Sequence, residues 1–262
     1  MQPPDPYDHL ESAATSDGVP VAPSMGTLLQ QTGLPVERTL IDRRAVFITL
    51  LSIGIALVTG FIAQLLVTLI DLVTNLAFYG RLSTLPASPA NHQLGWLVVL
   101  VPAVGGVIVG IMARYGSKSI RGHGIPEAME QVLTNESRIP ARLTFLKPLS
   151  AAISIGTGGP FGAEGPIIAT GGAMGSLAGQ LIEVAAIERK TLLAAGAAAG
   201  MAATFGSPVS AVLLAIELLL FELRPRSIVA VALAAVTATA VRVSFVGFRP
   251  AFAMPAIAQP GE

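Results

Sequence analysis

The sequence has few charged residues and no cysteine. Only 12% of its 262 residues are charged, whereas soluble proteins average about 25%. Hydrophobic residues make up 52%, which leaves too few polar side chains to cover the surface of a soluble domain. The absence of cysteine excludes disulfides and thiolate metal sites. Basic and acidic residues number 16 each, so the charge balance gives no reason to expect a nucleic-acid partner.

Motifs of the common soluble enzymes are also missing. The glycine-rich stretch at 156–165 lacks the Gly-Lys-Ser/Thr ending of a phosphate-binding loop, and no strand pattern precedes it. The chain has three histidines and no Gly-x-Ser-x-Gly nucleophile elbow. We therefore predict that the protein is not an enzyme, with no catalytic residue, no metal site and no cofactor.

Long apolar runs indicate an integral membrane protein. Residues 45–79 form an apolar run in which Asp71 is the only charge, and the run exceeds the ~20 residues that span a bilayer core. A tilted helix, or a helix with a broken end, would fit this length. A second run covers 94–113. Basic residues precede the first run and follow the second, which predicts a cytoplasmic N-terminus.

Composition divides the chain into three parts. Residues 1–40 are rich in Pro, Ser, Thr, Asp and Gly and predict a flexible cytoplasmic tail. Residues 41–248 predict the transmembrane domain, and 249–262 predict an irregular, Pro-rich tail. Beyond the two long runs we expect shorter helices near 126–133, 145–155, 166–184, 189–204, 209–222 and 228–245. The predicted fold class is an all-α membrane protein with tilted and broken transmembrane helices.

Glycine and proline interrupt the apolar pattern at 122–126, 156–166 and 206–208. In lipid, irregular backbone is tolerated only where protein or a water-filled cavity surrounds it. Short, interrupted hydrophobic segments are therefore the best sequence indication of a transport site.

The strongest of these motifs ends in Gly162-Ala163-Glu164-Gly165-Pro166. A helix that begins here has free amide groups and a partial positive charge, which attract an anion without a lysine. Glu164 is a candidate gate and proton carrier, because its carboxylate can take the place of the anion. The alternative is that Glu164 only caps the helix. A carboxylate at membrane depth favours the functional interpretation.

Two further motifs remain open to more than one interpretation. His123 can donate a hydrogen bond to an anion or titrate near neutral pH, or it can simply face cytoplasmic water. Glu217 lies in an apolar segment and is expected to be buried, either paired with Arg224 or Arg226 or acting as a secondary proton path. Possible pore-lining residues are Phe205, Gly206 and Pro208, and the predicted anion-binding residues are Gly122, His123, Gly124, Ile125, Pro126, Gly162, Ala163, Gly165 and Pro166.

Together these motifs resemble the CLC family of chloride channels and chloride/proton antiporters. The family's selectivity segments read Gly-Ser-Gly-Ile-Pro, Gly-Arg/Lys-Glu-Gly-Pro, and a Gly/Ala-rich stretch that closes on Phe-x-x-Pro. The chain has their counterparts at 122–126, 162–166 and 205–208, in the family's order and with similar spacing. The resemblance covers about 45–248, as the first half of a CLC-type inverted repeat.

The resemblance implies a homodimer with one pathway per subunit. It places Glu164 on the family's gating glutamate and His123 on the serine that contacts the central anion. Because histidine replaces that serine, nitrate and fluoride stay open beside chloride. Leu218 occupies the place of the inner glutamate of many antiporters, which favours passive conduction. The second repeat is absent, so we expect either a fragment or a half that pairs with another chain.

The resulting functional prediction is passive, voltage- or pH-gated conduction of small anions, chloride foremost, with Glu164 as the gate. One alternative is chloride/proton antiport, and another is an inactive or regulatory membrane subunit. The expected partners are a small anion and membrane lipid. The expected location is the bacterial inner membrane.

Overall fold

The computed structural model describes residues 42–122 and 124–248. The predicted tails at 1–40 and 249–262, and His123, lie outside the described residues. The described ranges contain no strand, and their α-helices are α1 (Arg43–Tyr79), α2 (Leu100–Tyr115), α3 (Ile125–Thr134), α4 (Ala141–Gly156), α5 (Glu164–Leu181), α6 (Ala186–Phe205), α7 (Pro208–Ala215) and α8 (Pro225–Val246). Short 3-10 helices cover Pro89–Asn91, Gly95–Val99 and Lys118–Arg121, and a π-helix covers Ile216–Leu220. The prediction of an all-α membrane protein is confirmed.

Within the described residues, three helices are long and apolar enough to cross a membrane: α1, α8, and the helix that runs from Gly95 to the end of α2. Their mean hydropathies are 2.4, 2.0 and 2.4. At 37 residues, α1 extends about 55 Å, well beyond the thickness of a bilayer core. It is one continuous helix, so of the two possibilities that the sequence left open it is the tilted helix that fits.

Some predicted boundaries were wrong. The sequence predicted a helix from residue 166, but α5 begins at Glu164, which places the carboxylate in the first turn where the helix dipole favours it. The helix expected at 209–222 is divided: α7 ends at Ala215, and a π-turn follows. Phe221 then closes the segment with φ of +51°.

The core is built around α5 and α6, which run antiparallel and pack through small residues. A β-carbon on Gly171 or on Gly196 would collide with the carbonyl oxygen of the other glycine. Gly200 fits against the Ile167 carbonyl in the same way, 2.6 Å from the position of a β-carbon. Such close approach is typical of membrane helices, which gain van der Waals contact in place of a hydrophobic driving force. Helices α1 and α8 pack on α6, and α1 also contacts α8.

Candidate anion site

The first glycine-rich motif connects a 3-10 helix to α3. Gly124 precedes α3 with φ of +103°, a conformation that favours glycine. A β-carbon at Gly124 would also collide with the Gly165 carbonyl, so this loop packs directly on the first turn of α5. Two of the three predicted breaks are thereby in contact, since Gly124 belongs to one and Gly165 to the other. His123 is not among the described residues.

Two charged side chains form hydrogen bonds with the backbone of this loop. The Gly124 N–H donates to Oε2 of Glu127 at 2.6 Å. Lys147 on α4 is 5% exposed, and its Nζ donates to the carbonyl oxygens of Ile120, at 3.2 Å, and Gly122. Neither Glu127 nor Lys147 was predicted to have a role from the sequence. A lysine within the apolar segment 145–155 was the available signal, because charged residues at membrane depth are costly and usually functional.

The second break runs from the end of α4 to Glu164. Thr157, Gly158 and the residues after them form turns, with the Gly158 φ at +91°. The surrounding helices fix this segment: a β-carbon on Gly156 would lie 2.6 Å from Cβ of Val73, and one on Gly158 would lie 3.0 Å from the Phe78 ring. Both of those side chains belong to α1. The start of the segment that leads to Glu164 is therefore packed tightly against α1.

Glu164 is the first residue of α5 and is exposed in this chain. Its carboxylate folds back over the break, with Oε2 only 2.8 Å from the position that a β-carbon on Gly162 would occupy. The N–H groups in the first turn of a helix have no hydrogen-bond partner within the helix. A proline in that turn has no N–H to offer. The carboxylate thus lies at the end of α5 where an anion is most favoured.

The third break lies at the end of α6. Phe205 ends α6 and Pro208 begins α7. Gly171 meets Gly196 and Ile167 meets Gly200, so α6 runs antiparallel to α5 and its last turns extend toward the start of α5. The structure therefore brings the predicted segments 122–126 and 162–166 into contact, and 205–208 follows the end of α6 that is directed toward them.

A buried arginine that the sequence analysis did not identify adjoins the third break. Arg242 on α8 is 7% exposed, and its Nη1 lies 3.0 Å from where a β-carbon on Gly206 would be. Arginine is rarely buried unless it is paired or hydrogen-bonded. The Arg242 guanidinium places a positive charge next to the turn between α6 and α7.

Glu217 does not occupy the buried position expected for it. It lies in the π-helix and is exposed. The carboxylate that is bonded to Arg224 is that of Glu222, at 3.3 Å, and Glu222 also lies 3.5 Å from Lys190 Nζ. The π-turn changes the helical phase after Ala215, and an α-helical reading of the sequence cannot anticipate this change.

A cavity of about 410 Å³ lies beside the first motif, on the side of Lys147. Its polar lining carries charges of both signs, from Arg121, Lys147, Glu127 and Glu130. Gly122, Gly124 and Ala169 also line it, so the cavity reaches the contact between the first loop and α5.

Comparison with known proteins identifies the family. The model of the family described as "voltage gated chloride channel" matches residues 105–261, which include all three breaks. The chain belongs to the voltage-gated chloride channel (CLC) family. The resemblance seen in the motifs is thereby confirmed.

Several relatives agree with this assignment. The H(+)/Cl(−) exchange transporter ClcA of Citrobacter koseri is 31% identical over 190 residues, covering 71% of this chain and 38% of the relative. The chloride channel protein CLC-f of Arabidopsis thaliana is 32% identical over 192 residues, covering 64% and 23%. These relatives are named as channels or transporters and not as enzymes.

A solved structure supports the fold. The crystal structure of a slow cyanobacterial Cl−/H+ antiporter superposes with a TM-score of 0.60 at 23% identity, covering 80% of this chain and 48% of that one. At this identity the match shows the fold alone. The chain spans less than half the length of each of these three proteins.

Proposed function

We propose that this chain forms part of a pathway that carries small anions, chloride foremost, across a membrane by passive conduction. The observation that carries the proposal is the contact between two irregular segments, at Gly124 and Gly165, at the start of α5, with the third segment at the end of the antiparallel helix α6. Helix amides at this point attract a negative ion and bind it weakly enough to release it, as conduction requires. The predicted contacts are Gly122 to Pro126 and Gly162 to Pro166, with Phe205, Gly206 and Pro208 lining the path.

Glu164 is the proposed gate. Its carboxylate folds back over Gly162 at the helix end that favours an anion. While ionised, it competes with the permeating ion for the same amides. Protonation, or a rotation of the side chain driven by voltage, would release those amides. The gate is therefore expected to respond to pH and to membrane potential.

The organisation of the whole protein follows as part of the proposal. Residues 41–248 act as the transmembrane domain, flanked by a flexible tail at 1–40 and an irregular tail at 249–262, and the assembly is a homodimer. The N-terminus faces the cytoplasm of a bacterial inner membrane. Exposed basic residues at the start of the first membrane helix and at the end of the second support this orientation, because two crossings return the chain to the same side of the membrane. These residues are Arg43, Arg44, Arg114 and Arg121.

Flux from liposomes tests the proposal. The intact protein, expressed from its complete reading frame, is reconstituted into chloride-loaded liposomes, and a potassium ionophore is added to relieve the charge imbalance. Chloride should then leave the liposomes. Protein-free liposomes supply the control. If chloride, nitrate and fluoride all remained trapped, conduction would be rejected.

Exchange of anions for protons is the second candidate. It is favoured by two relatives that are named as exchangers, the ClcA transporter of Citrobacter koseri and the cyanobacterial antiporter. In this candidate Glu164 carries the proton, and Glu217 offers a secondary proton path. An imposed pH gradient would drive chloride uptake against its own gradient. Passive efflux without such uphill uptake would decide for conduction.

A further inference from the structure

Two opposite charges hold the backbone on either side of position 123. Lys147 donates to the carbonyls of Ile120 and Gly122, just before that position. Glu127 accepts the N–H of Gly124, just after it. The two side chains come from different helices, α4 and α3, and both line the same cavity. The loop backbone is therefore held by the Lys147 cation before position 123 and by the Glu127 anion after it.

The Glu127 carboxylate occupies the space over Gly122 and binds the Gly124 N–H. An anion would otherwise use both. A β-carbon at Gly122 would collide with this carboxylate, so the group lies over Gly122 while it binds the Gly124 amide. A short charge-assisted hydrogen bond from a backbone amide to a carboxylate is the interaction that an anion makes at a helix start. Glu127 thus lowers both the number of free amides and the positive potential at the loop.

Lys147 acts in the opposite direction. It is 5% exposed, and its ammonium group binds the negative ends of two peptide groups. Those carbonyl oxygens are thereby directed to the lysine, and its positive charge acts through a medium of low dielectric constant. An anion bound at the loop would be stabilised by this charge, which bulk water cannot screen effectively at such burial.

We propose that Lys147 and Glu127 set, with opposite signs, the affinity of the Gly122–Pro126 loop for its anion. This inference rests on the proposed function and concerns the regulation of the same pathway. Lys147 strengthens binding, and Glu127 weakens it so that the ion can leave. Both are positioning residues, since they act on the anion through the loop backbone and the local potential.

A purely structural role predicts a different pattern. Glu127 also accepts the Gly124 N–H at the start of α3, and Lys147 bridges two carbonyls, so loss of either contact would loosen the loop. Loosening would weaken anion binding in both variants. Opposite changes in affinity arise only if the charges matter.

The experiment measures chloride binding by isothermal titration calorimetry on the intact detergent-solubilised protein, with chloride efflux from liposomes measured in parallel. Glu127→Gln keeps an oxygen acceptor for the Gly124 amide and removes the charge, so it should lower the chloride Kd by about threefold or more. Lys147→Met should raise the Kd by about the same factor. Lys147→Arg keeps the charge and should restore binding in large part.

Glu130→Gln is the matched control. Glu130 lies on the same helix as Glu127 and lines the same cavity, but it is exposed and its side chain does not hold the loop. This variant should leave the Kd unchanged. Because Lys147→Met loses two hydrogen bonds and can fail to fold, the sign of the Glu127→Gln change decides on its own.

A chloride Kd that rises or stays constant in Glu127→Gln, while the wild-type protein binds chloride, overturns this inference and leaves the proposed function standing. A wild-type protein that neither binds nor carries any anion overturns both. A fall in Kd for Glu127→Gln, with no change for Glu130→Gln, supports the inference.

Discussion

Gly171 of α5 and Gly196 of α6 lie so close together that neither position can hold a β-carbon. The carbonyl oxygen of each glycine occupies the space where the other's side chain would begin. Thr59 of α1 also packs against this contact, because its Cγ2 would lie 3.0 Å from a β-carbon on Gly171. This contact fixes the register of the two central helices, and that register directs the end of α6 toward the start of α5. The geometry of the candidate site therefore depends on packing about two helical turns away.

Substitution of Gly196 by alanine should destabilise the protein. The added methyl group forces α5 and α6 apart, and overpacking of this kind costs about 1–3 kcal/mol. Thermal unfolding in mild detergent, followed by circular dichroism, measures the change. Gly106→Ala on α2 is the control, because no atom lies within 4 Å of its β-carbon position. Equal melting temperatures for the two variants would contradict the packing argument.

A second stability prediction concerns Arg189 and Arg138, which share one carboxylate. Arg189 donates to the Glu136 carbonyl at 2.9 Å and pairs with its Oε2 at 3.4 Å, while Arg138 pairs with the same Oε2 at 3.3 Å. The Arg189 side chain is 6% exposed and that of Arg138 is 58% exposed.

Replacement of Arg189 by alanine should cost about 2–3 kcal/mol of unfolding free energy, because a buried, charge-assisted contact is lost. Replacement of Arg138 by alanine should cost below about 1 kcal/mol, because water screens an exposed ion pair. Denaturant titration in detergent compares the two. If the Arg138 variant lost as much stability as the Arg189 variant, burial would not be the controlling factor.

Much of the candidate site could be predicted from local sequence. Glycine followed by proline marks a helix boundary whatever the rest of the chain does, so the breaks at 122–126, 156–166 and 206–208 are visible in the sequence. Glu164 could be identified because a lone carboxylate beside such a break has few structural roles in lipid. The long apolar runs indicated α1, α2 and α8 for the same local reason.

Other parts of the site depend on contacts between distant residues. Lys147 meets Gly122 across 25 positions of sequence, and Arg242 on α8 meets Gly206 in the turn between α6 and α7. No periodicity encodes such pairs. Glu217 was expected to be buried because its segment is apolar, but it lies on an exposed part of the π-helix Ile216–Leu220.

The absence of cysteine makes the proposed orientation simple to test. Thr84, between α1 and α2, and Ser119, after α2, are both exposed and lie at opposite ends of α2. Thr84→Cys should react with a membrane-impermeant maleimide added to intact cells, and Ser119→Cys should react only after permeabilisation. Labelling in the reverse pattern would mean that the N-terminus lies outside.

Replacement of Glu164 by glutamine tests the gate directly. The amide side chain has nearly the shape of the carboxylate but carries no charge and does not titrate, so it competes poorly with an anion for the amides at the start of α5. Chloride efflux from liposomes should rise, and its dependence on pH should disappear. Glu217→Gln, also exposed but on the π-helix, is the control and should keep the wild-type profile if conduction is passive. A Glu164→Gln protein with an unchanged pH profile would show that this carboxylate only caps α5, because a cap stabilises the helix end without standing in the path of the ion.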